Sequence, residues 1–143
     1  MTTSVSANVF DSPDELLSAA GRDLGRTSWT VIDPQDAERF ARATGAKIGD
    51  SGEVAPLLVL SLTNRFLPEL LEVRAVSSGV NYGAGRIRFP GSAVVGDRIR
   101  AHATVLEAVE VPGGIQTTIE ITVEIEEREQ PACVVESISR WMR

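Results

Sequence analysis

Apolar positions follow a helical period in the first half of the chain and strict alternation in the second. Ser12-Pro13-Asp14-Glu15 supplies a serine cap, a proline at the first helical position and a glutamate spaced to return the capping bond, so a short helix is expected before Gly21. Residues 27–32 can form a strand. Asp33-Pro34-Gln35-Asp36 then repeats the start signal with an aspartate cap. Ala37, Phe40, Ala41 and Thr44 recur at helical spacing and Gly45 is a natural stop, which predicts a surface helix. Residues 46–53 are small and polar and read as a loop. From Val54 to Leu71 the chain changes abruptly: Leu57, Leu58, Val59, Leu60, Leu62, Phe66, Leu67, Leu70 and Leu71 set apolar groups almost all around a helix, which calls for burial on most sides. Pro56 fits only its first turn, and Pro68 should end or kink it.

Beyond Glu72 everything reads as strand. Arg86-Ile87-Arg88-Phe89 alternates, as does the run from Arg98 to Val105, and Pro112-Gly113-Gly114 is a turn. Ile115, Thr117, Ile119, Ile121, Val123 and Ile125 share one face of the following run, opposite Gln116, Thr118, Glu120, Thr122, Glu124 and Glu126, the pattern of a half-buried antiparallel strand. A last strand runs from Ala132 to about Trp141. The expected architecture is α+β: one very apolar helix and an antiparallel sheet of about five strands whose single apolar face wraps it, with residues 1–143 as one domain.

Composition narrows the function. The chain is 43% apolar and 24% charged, as an ordinary globular domain is. Its net charge is −6, only Lys47 among 14 basic residues is a lysine, and no stripe alternates basic and aromatic residues, so a nucleic-acid partner is not expected. The lone Cys133 allows no intramolecular disulfide. Residues 1–7 lack a basic segment followed by an apolar run, and no apolar stretch reaches the ~20 residues of a membrane span, so neither a signal peptide nor a membrane partner is expected and the cytoplasm is favoured. The single histidine, His102, excludes mechanisms needing two imidazoles and zinc sites built on several. The glycine-rich run 79–85 is no phosphate cradle, because no helix pattern or Lys-Ser/Thr follows it. No cofactor and no metal are expected.

Gly79-Val80-Asn81-Tyr82-Gly83, Arg88-Phe89-Pro90 and Val95-Gly96-Asp97-Arg98-Ile99-Arg100-Ala101 resemble the MaoC-like, (R)-specific enoyl-CoA hydratases of the hot-dog fold. The likeness extends to Phe10-Asp11-Ser12-Pro13-Asp14-Glu15-Leu16-Leu17 and to Pro131-Ala132-Cys133-Val134 with Glu136-Ser137, and so covers nearly the whole chain. It implies a helix wrapped by a curved sheet, a homodimer whose two sheets join, and a tunnel that receives a pantetheine-linked acyl chain. It also implies addition or removal of water across an enoyl thioester by an aspartate and a histidine on the loop after the second helix. Here that loop departs from the pattern. Anchored on Ala43-Thr44-Gly45, the family's aspartate falls on Ala46 and its histidine on Ser51; anchored on Gly49-Asp50, the aspartate is kept and the histidine position is Ala55. Only residues 46–53 separate Gly45 from the apolar helix, and Pro56-Leu57 stands where the family has a histidine-glycine pair.

Asp50 and Glu53, the acids of that loop, could serve as lone acid or base in a dry pocket, or simply be solvated. Asn81 and Tyr82 could hydrogen-bond a carbonyl without ionising, or shape a sharp bend. These four are the candidate catalytic residues. Pro56, Leu57 and Leu58 on the apolar helix and Arg86 and Arg88 on one strand face are the candidate substrate-binding residues. His102 alternates with Arg98, Arg100 and Thr104 and so belongs on the polar sheet face, and Cys133 reads as a packed strand residue. Three functions remain open. The first is an enzyme derived from the hydratases that acts on a hydrophobic acyl or polyketide-like substrate by isomerisation, cyclisation or elimination. The second is a non-catalytic acyl-binding protein, either a homodimer or one half of a heterodimer with another hot-dog subunit that is active. The third is an ordinary enoyl-CoA hydratase acting on an acyl thioester.

Overall fold

The computed structural model describes residues 6–143. β1 (Asn8–Phe10) leads into a 3-10 helix (Pro13–Ser18), then β2 (Asp23–Arg26), β3 (Thr30–Val31), α1 (Pro34–Thr44), α2 (Pro56–Leu70), β4 (Leu71–Val73), β5 (Ser78–Arg88), β6 (Arg98–Val111), β7 (Gly114–Ile125) and β8 (Cys133–Met142). The main sheet is antiparallel in the order β2-β6-β7-β8-β5, with β3 also paired to β6, which makes six strands where about five were expected. β1 and β4 form a separate parallel pair. The α+β hot-dog arrangement expected from the sequence is the one observed.

Side-chain alternation explains which face the sheet turns to α2. Ile99, Ala101, Ala103 and Val105 of β6 and Ile115, Ile119, Ile121, Val123 and Ile125 of β7 are all buried, with Cys133 and Val135 of β8 beside them. Against them α2 sets Leu58, Val59, Phe66 and Leu70, which recur at helical spacing. Contrary to the sequence expectation, α2 is not buried on most sides. Leu57 is exposed and Leu60, Leu62 and Leu67 are half-buried, because one chain's sheet covers only one face of the helix. Nor does Pro68 stop it. The helix runs on to Leu70, although Pro68 has no N–H to offer the carbonyl of Asn64.

The helix starts behave unequally. Asp33 accepts a hydrogen bond from Gln35 N–H at 2.8 Å and Gly45 closes α1 in the left-handed region at φ 77°, as the sequence pattern requires. Ser12 makes no side-chain cap; Glu15 instead accepts from Asp11 N–H at 2.6 Å, and only a 3-10 helix forms. The glycine-rich run 79–85 forms no sharp bend. It lies inside the continuous strand β5, whose register against β8 shifts twice. A Cβ on Gly85 would crowd the Glu136 side chain at 3.3 Å, whereas one on Gly79 would meet the Trp141 ring at an ordinary contact distance of 3.4 Å.

Candidate functional site

A cavity of about 310 Å³ opens between the second half of α2 and the end of the sheet formed by β5 and β8. Its floor is the buried Ile121, with Leu67, Pro68 and Leu71 on the helix side and Trp141 on the sheet side. The alternation of β8 creates it. Cys133 and Val135 face inward and seal the core, but the next inward positions are Ser137 and Ser139, which exchange apolar bulk for small hydroxyls. On β5 the partner of Ser139 is Asn81, and on β7 it is Thr117, so three polar side chains form one row across the otherwise apolar inner face. Thr117 is already engaged, its hydroxyl accepting from Trp141 Nε1 at 2.9 Å. Asn81 reaches across the cavity and donates to the Asn64 side-chain oxygen of α2 at 3.0 Å.

The polar groups of the lining are therefore Thr63, Asn64, Asn81, Ser137 and Ser139 with the Trp141 ring N–H, and none of the lining side chains ionises near neutral pH. Such a wall can donate and accept hydrogen bonds. It cannot store or release a proton.

Of the candidate site residues, Asn81 alone lies in this cavity. Tyr82, its neighbour in β5, lies under the Arg140 guanidinium, which sits 3.6 Å from the ring centroid. Asp50 is exposed at the tip of the α1–α2 loop. Glu53 holds that loop together: its carboxylate accepts from Ser51 N–H at 3.2 Å, and its backbone bridges Val94. Pro56 and Leu57 line a second, more open cleft of about 490 Å³ with Phe40, Thr44, Ala46 and Lys47. That cleft is a surface depression walled mainly by exposed side chains, and it lacks a buried polar group. Leu58 is in the core, bordering a gap of only about 10 Å³. Arg86 and Arg88 flank a groove with Glu120 and Glu136 on the outer sheet surface.

His102 takes the polar face that alternation assigns it, with a partner that the sequence pattern did not show. Its Nε2 lies 2.9 Å from Asp23 on β2. The Gly25 N–H, followed by His102, holds the Asp23 carboxyl below its usual range. Burial pushes the Cys133 thiol up to about 11, so it is no nucleophile at neutral pH. No group of three or more His, Cys, Asp or Glu side chains able to hold a metal occurs among the described residues. No described helix is long and apolar enough to cross a membrane. Asn64 and Ser139 carried no motif, and Ser137 entered only as part of the Glu136-Ser137 string, with no role given to it. Their signal is one of register: hydroxyls at inward positions of an otherwise apolar strand, and an asparagine within a leucine-rich helix.

No family model matches the chain. The 3-hydroxyacyl-thioester dehydratase Z of Mycobacterium tuberculosis is 33% identical over 147 residues, covering 93% of this chain and 97% of that protein. Among solved structures, the monoamine oxidase regulatory protein of Archaeoglobus fulgidus superposes with a TM-score of 0.72 at 16% identity, over 97% of this chain and 99% of the other. The MaoC-like dehydratase of Rhodospirillum rubrum superposes with a TM-score of 0.68 at 13% identity, over 87% and 94%. Fold and sequence agree, and the chain belongs to the MaoC-like dehydratase family of hot-dog proteins.

Proposed function

We propose that this chain binds a hydrophobic acyl or polyketide-like substrate in the cavity between α2, β5 and β8 and acts on it by fixing its conformation, without exchanging water. The observation that carries the reading is the absence of any titratable side chain from the cavity lining. Adding or removing water next to a thioester requires a proton to leave or join carbon, and a positioned acid or base must handle it. The chain's only histidine is tied to Asp23 on the outer sheet face, and Asp50 and Glu53 sit on a loop outside the cavity. A ring closure or isomerisation limited by conformation needs no such group. Alignment of reacting atoms supplies about 7–11 kcal/mol of a barrier in favourable cases. An elimination would need a base that this lining does not contain.

A second reading has its own support. β5 is exposed along its whole length at one edge of the sheet, so another hot-dog chain could pair there. The protein would then be a substrate-holding subunit, as a homodimer or beside an active hydratase.

Two measurements test the proposal. Octanoyl-N-acetylcysteamine should bind the purified protein, and Leu67→Trp, which fills the cavity from the helix side, should abolish binding while the fold is retained by circular dichroism. Crotonyl and longer enoyl thioesters should show no hydration in a spectrophotometric assay. Turnover at ordinary hydratase rates would overturn the reading, as would binding unaffected by Leu67→Trp.

A further inference from the structure

We infer that the cleft between the end of α1 and the start of α2 is a second ligand site, separate from the cavity at β5 and β8. It takes a free monocarboxylate on a hydrocarbon chain, with Lys47 holding the carboxylate. The inference stands independently of the proposed use of the cavity.

The cleft measures about 490 Å³, room enough for a small organic ligand. Phe40, Ala46, Ala55, Pro56 and Leu57 make most of its wall apolar. Leu57 is 58% exposed, so within one chain this wall faces water. The polar side chains of the lining are Thr44 and Lys47. The Thr44 hydroxyl is committed at both ends: it donates to the Phe40 carbonyl at 2.6 Å and accepts from Ala46 N–H at 3.3 Å. Lys47 is different. It is the chain's only lysine, and its exposed ammonium makes no ion pair or hydrogen bond with any described residue. The nearby cations of α1 do find partners, Arg39 in Asp36 and Arg42 in Glu38. The acids of the α1–α2 loop do not answer Lys47. Glu53 accepts from Ser51 N–H, and neither Glu53 nor Asp50 lines the cleft.

The cleft thus sets one free positive charge beside an apolar wall, and the complementary ligand is an amphipath with one negative charge. A lysine stem covers apolar surface while its ammonium stays in water, which puts the head of such a ligand at the solvent edge and its tail against Pro56 and Leu57. Burial of the tail supplies the affinity; an ion pair in water adds little to it and fixes the orientation. One ammonium balances a carboxylate but not the second charge of a phosphate. A thioester is uncharged where the acyl chain ends, so it gains nothing from Lys47. The net charge of −6 opposes any anion, but at physiological ionic strength that repulsion is screened beyond about 8 Å.

The test titrates octanoate and octanol at neutral pH into isotope-labelled wild type, Lys47→Met, Leu57→Asp and Leu67→Trp, read by backbone amide shifts. Octanoate should move the Gly45, Lys47 and Leu57 signals of wild type. Lys47→Met keeps an apolar stem and removes the charge, so it should weaken octanoate binding about 2- to 5-fold, the range of an exposed ion pair, and leave octanol binding unchanged. Leu57→Asp should abolish octanoate binding, and with Leu57 so exposed its fold should stay intact by circular dichroism. Leu67→Trp, which fills the other cavity, should leave the octanoate shifts in place. Octanoate shifts confined to Asn81 and Ser139, or lost in Leu67→Trp, would overturn the inference by placing the acid in the other cavity. Octanoate binding equal in wild type and Lys47→Met would overturn it as well, as would octanol weakened as much as octanoate. Failure of octanoyl-N-acetylcysteamine to bind would sink the proposed function and leave this inference standing.

Discussion

At the scale of single residues, the decisive facts concern groups that could have done chemistry and are placed so that they do not. His102 was assigned to the polar face by alternation alone, but its partner Asp23 lies on β2, a strand too short and glycine-broken to show a period. The pair gives stability a direction with pH. The Asp23 carboxyl is held below its ordinary 3.8 first by the Gly25 N–H and second by His102. Its stabilising contribution is therefore in place above the ordinary carboxylate range and is lost as the pH falls through the depressed value. In a nuclear magnetic resonance titration, His102→Gln should move the Asp23 midpoint up toward 3.8 without reaching it, because Gly25 still donates. A midpoint unchanged by the substitution would mean that the ion pair contributes nothing. Cys133 gives a second check. A thiol raised from 9.0 to about 11 has roughly 100-fold less thiolate at pH 8. Iodoacetamide should accordingly modify the native protein at least about 100-fold more slowly than the urea-unfolded chain, and equal rates would refute the burial.

At the scale of elements, long periodic segments were legible and short or exceptional ones were not. The alternation of β6 and β7 set out the inner face residue by residue, and the Asp33 and Gly45 signals bounded α1 correctly. The parallel β1–β4 pair had no signal, because three-residue strands have no period and their partners come from distant sequence. The glycines of β5 read as a bend since local composition does not reveal that the run will pair with β8 along its length. The polar row Thr117, Ser139 and Asn81 was hidden for the same reason: it exists only once three strands are in register. Two substitutions test the packing. Phe66, 2% exposed on the sheet-facing side of α2, should cost about 3–5 kcal/mol in urea unfolding when replaced by alanine, a large part of a domain's stability. At Gly114 a Cβ would collide with the Trp141 carbonyl and approach Met142 Cα to 3.0 Å, so Gly114→Ala should lower the unfolding free energy measured in urea by about 1–3 kcal/mol even though alanine ordinarily suits a strand better. Because Trp141 lines the cavity, the same variant should also shift the tryptophan emission.

At the scale of the whole molecule, the chain leaves apolar surface uncovered on β5 and at the start of α2. Val80 is 45% exposed and Ile87 40% on β5, Phe89 just beyond it 38%, and Leu57 on α2 58%. Spread over a sheet, single apolar side chains of this kind would be unremarkable. Here two of them, Val80 and Ile87, belong to an edge strand of eleven residues with one row of backbone N–H and C=O groups free of the sheet, which in isolation would invite uncontrolled pairing. A second copy meeting β5 edge to edge would continue the sheet and reduce the exposure of these apolar side chains. It would also narrow the open side of the cavity, since Gly79, Val80 and Asn81 belong to both. Sedimentation velocity should then give twice the 15.4 kDa chain mass. Ile87→Lys combined with Phe89→Lys should return it to the single-chain value with little change in the thermal unfolding of the monomer, because both side chains are well exposed within one chain. Neither residue lines the cavity, so octanoyl-N-acetylcysteamine binding by the monomeric variant separates the two roles of β5. Weakened binding would mean that the partner completes the pocket, unchanged binding that one chain suffices, and a variant that still sediments at twice the chain mass that the copies meet elsewhere.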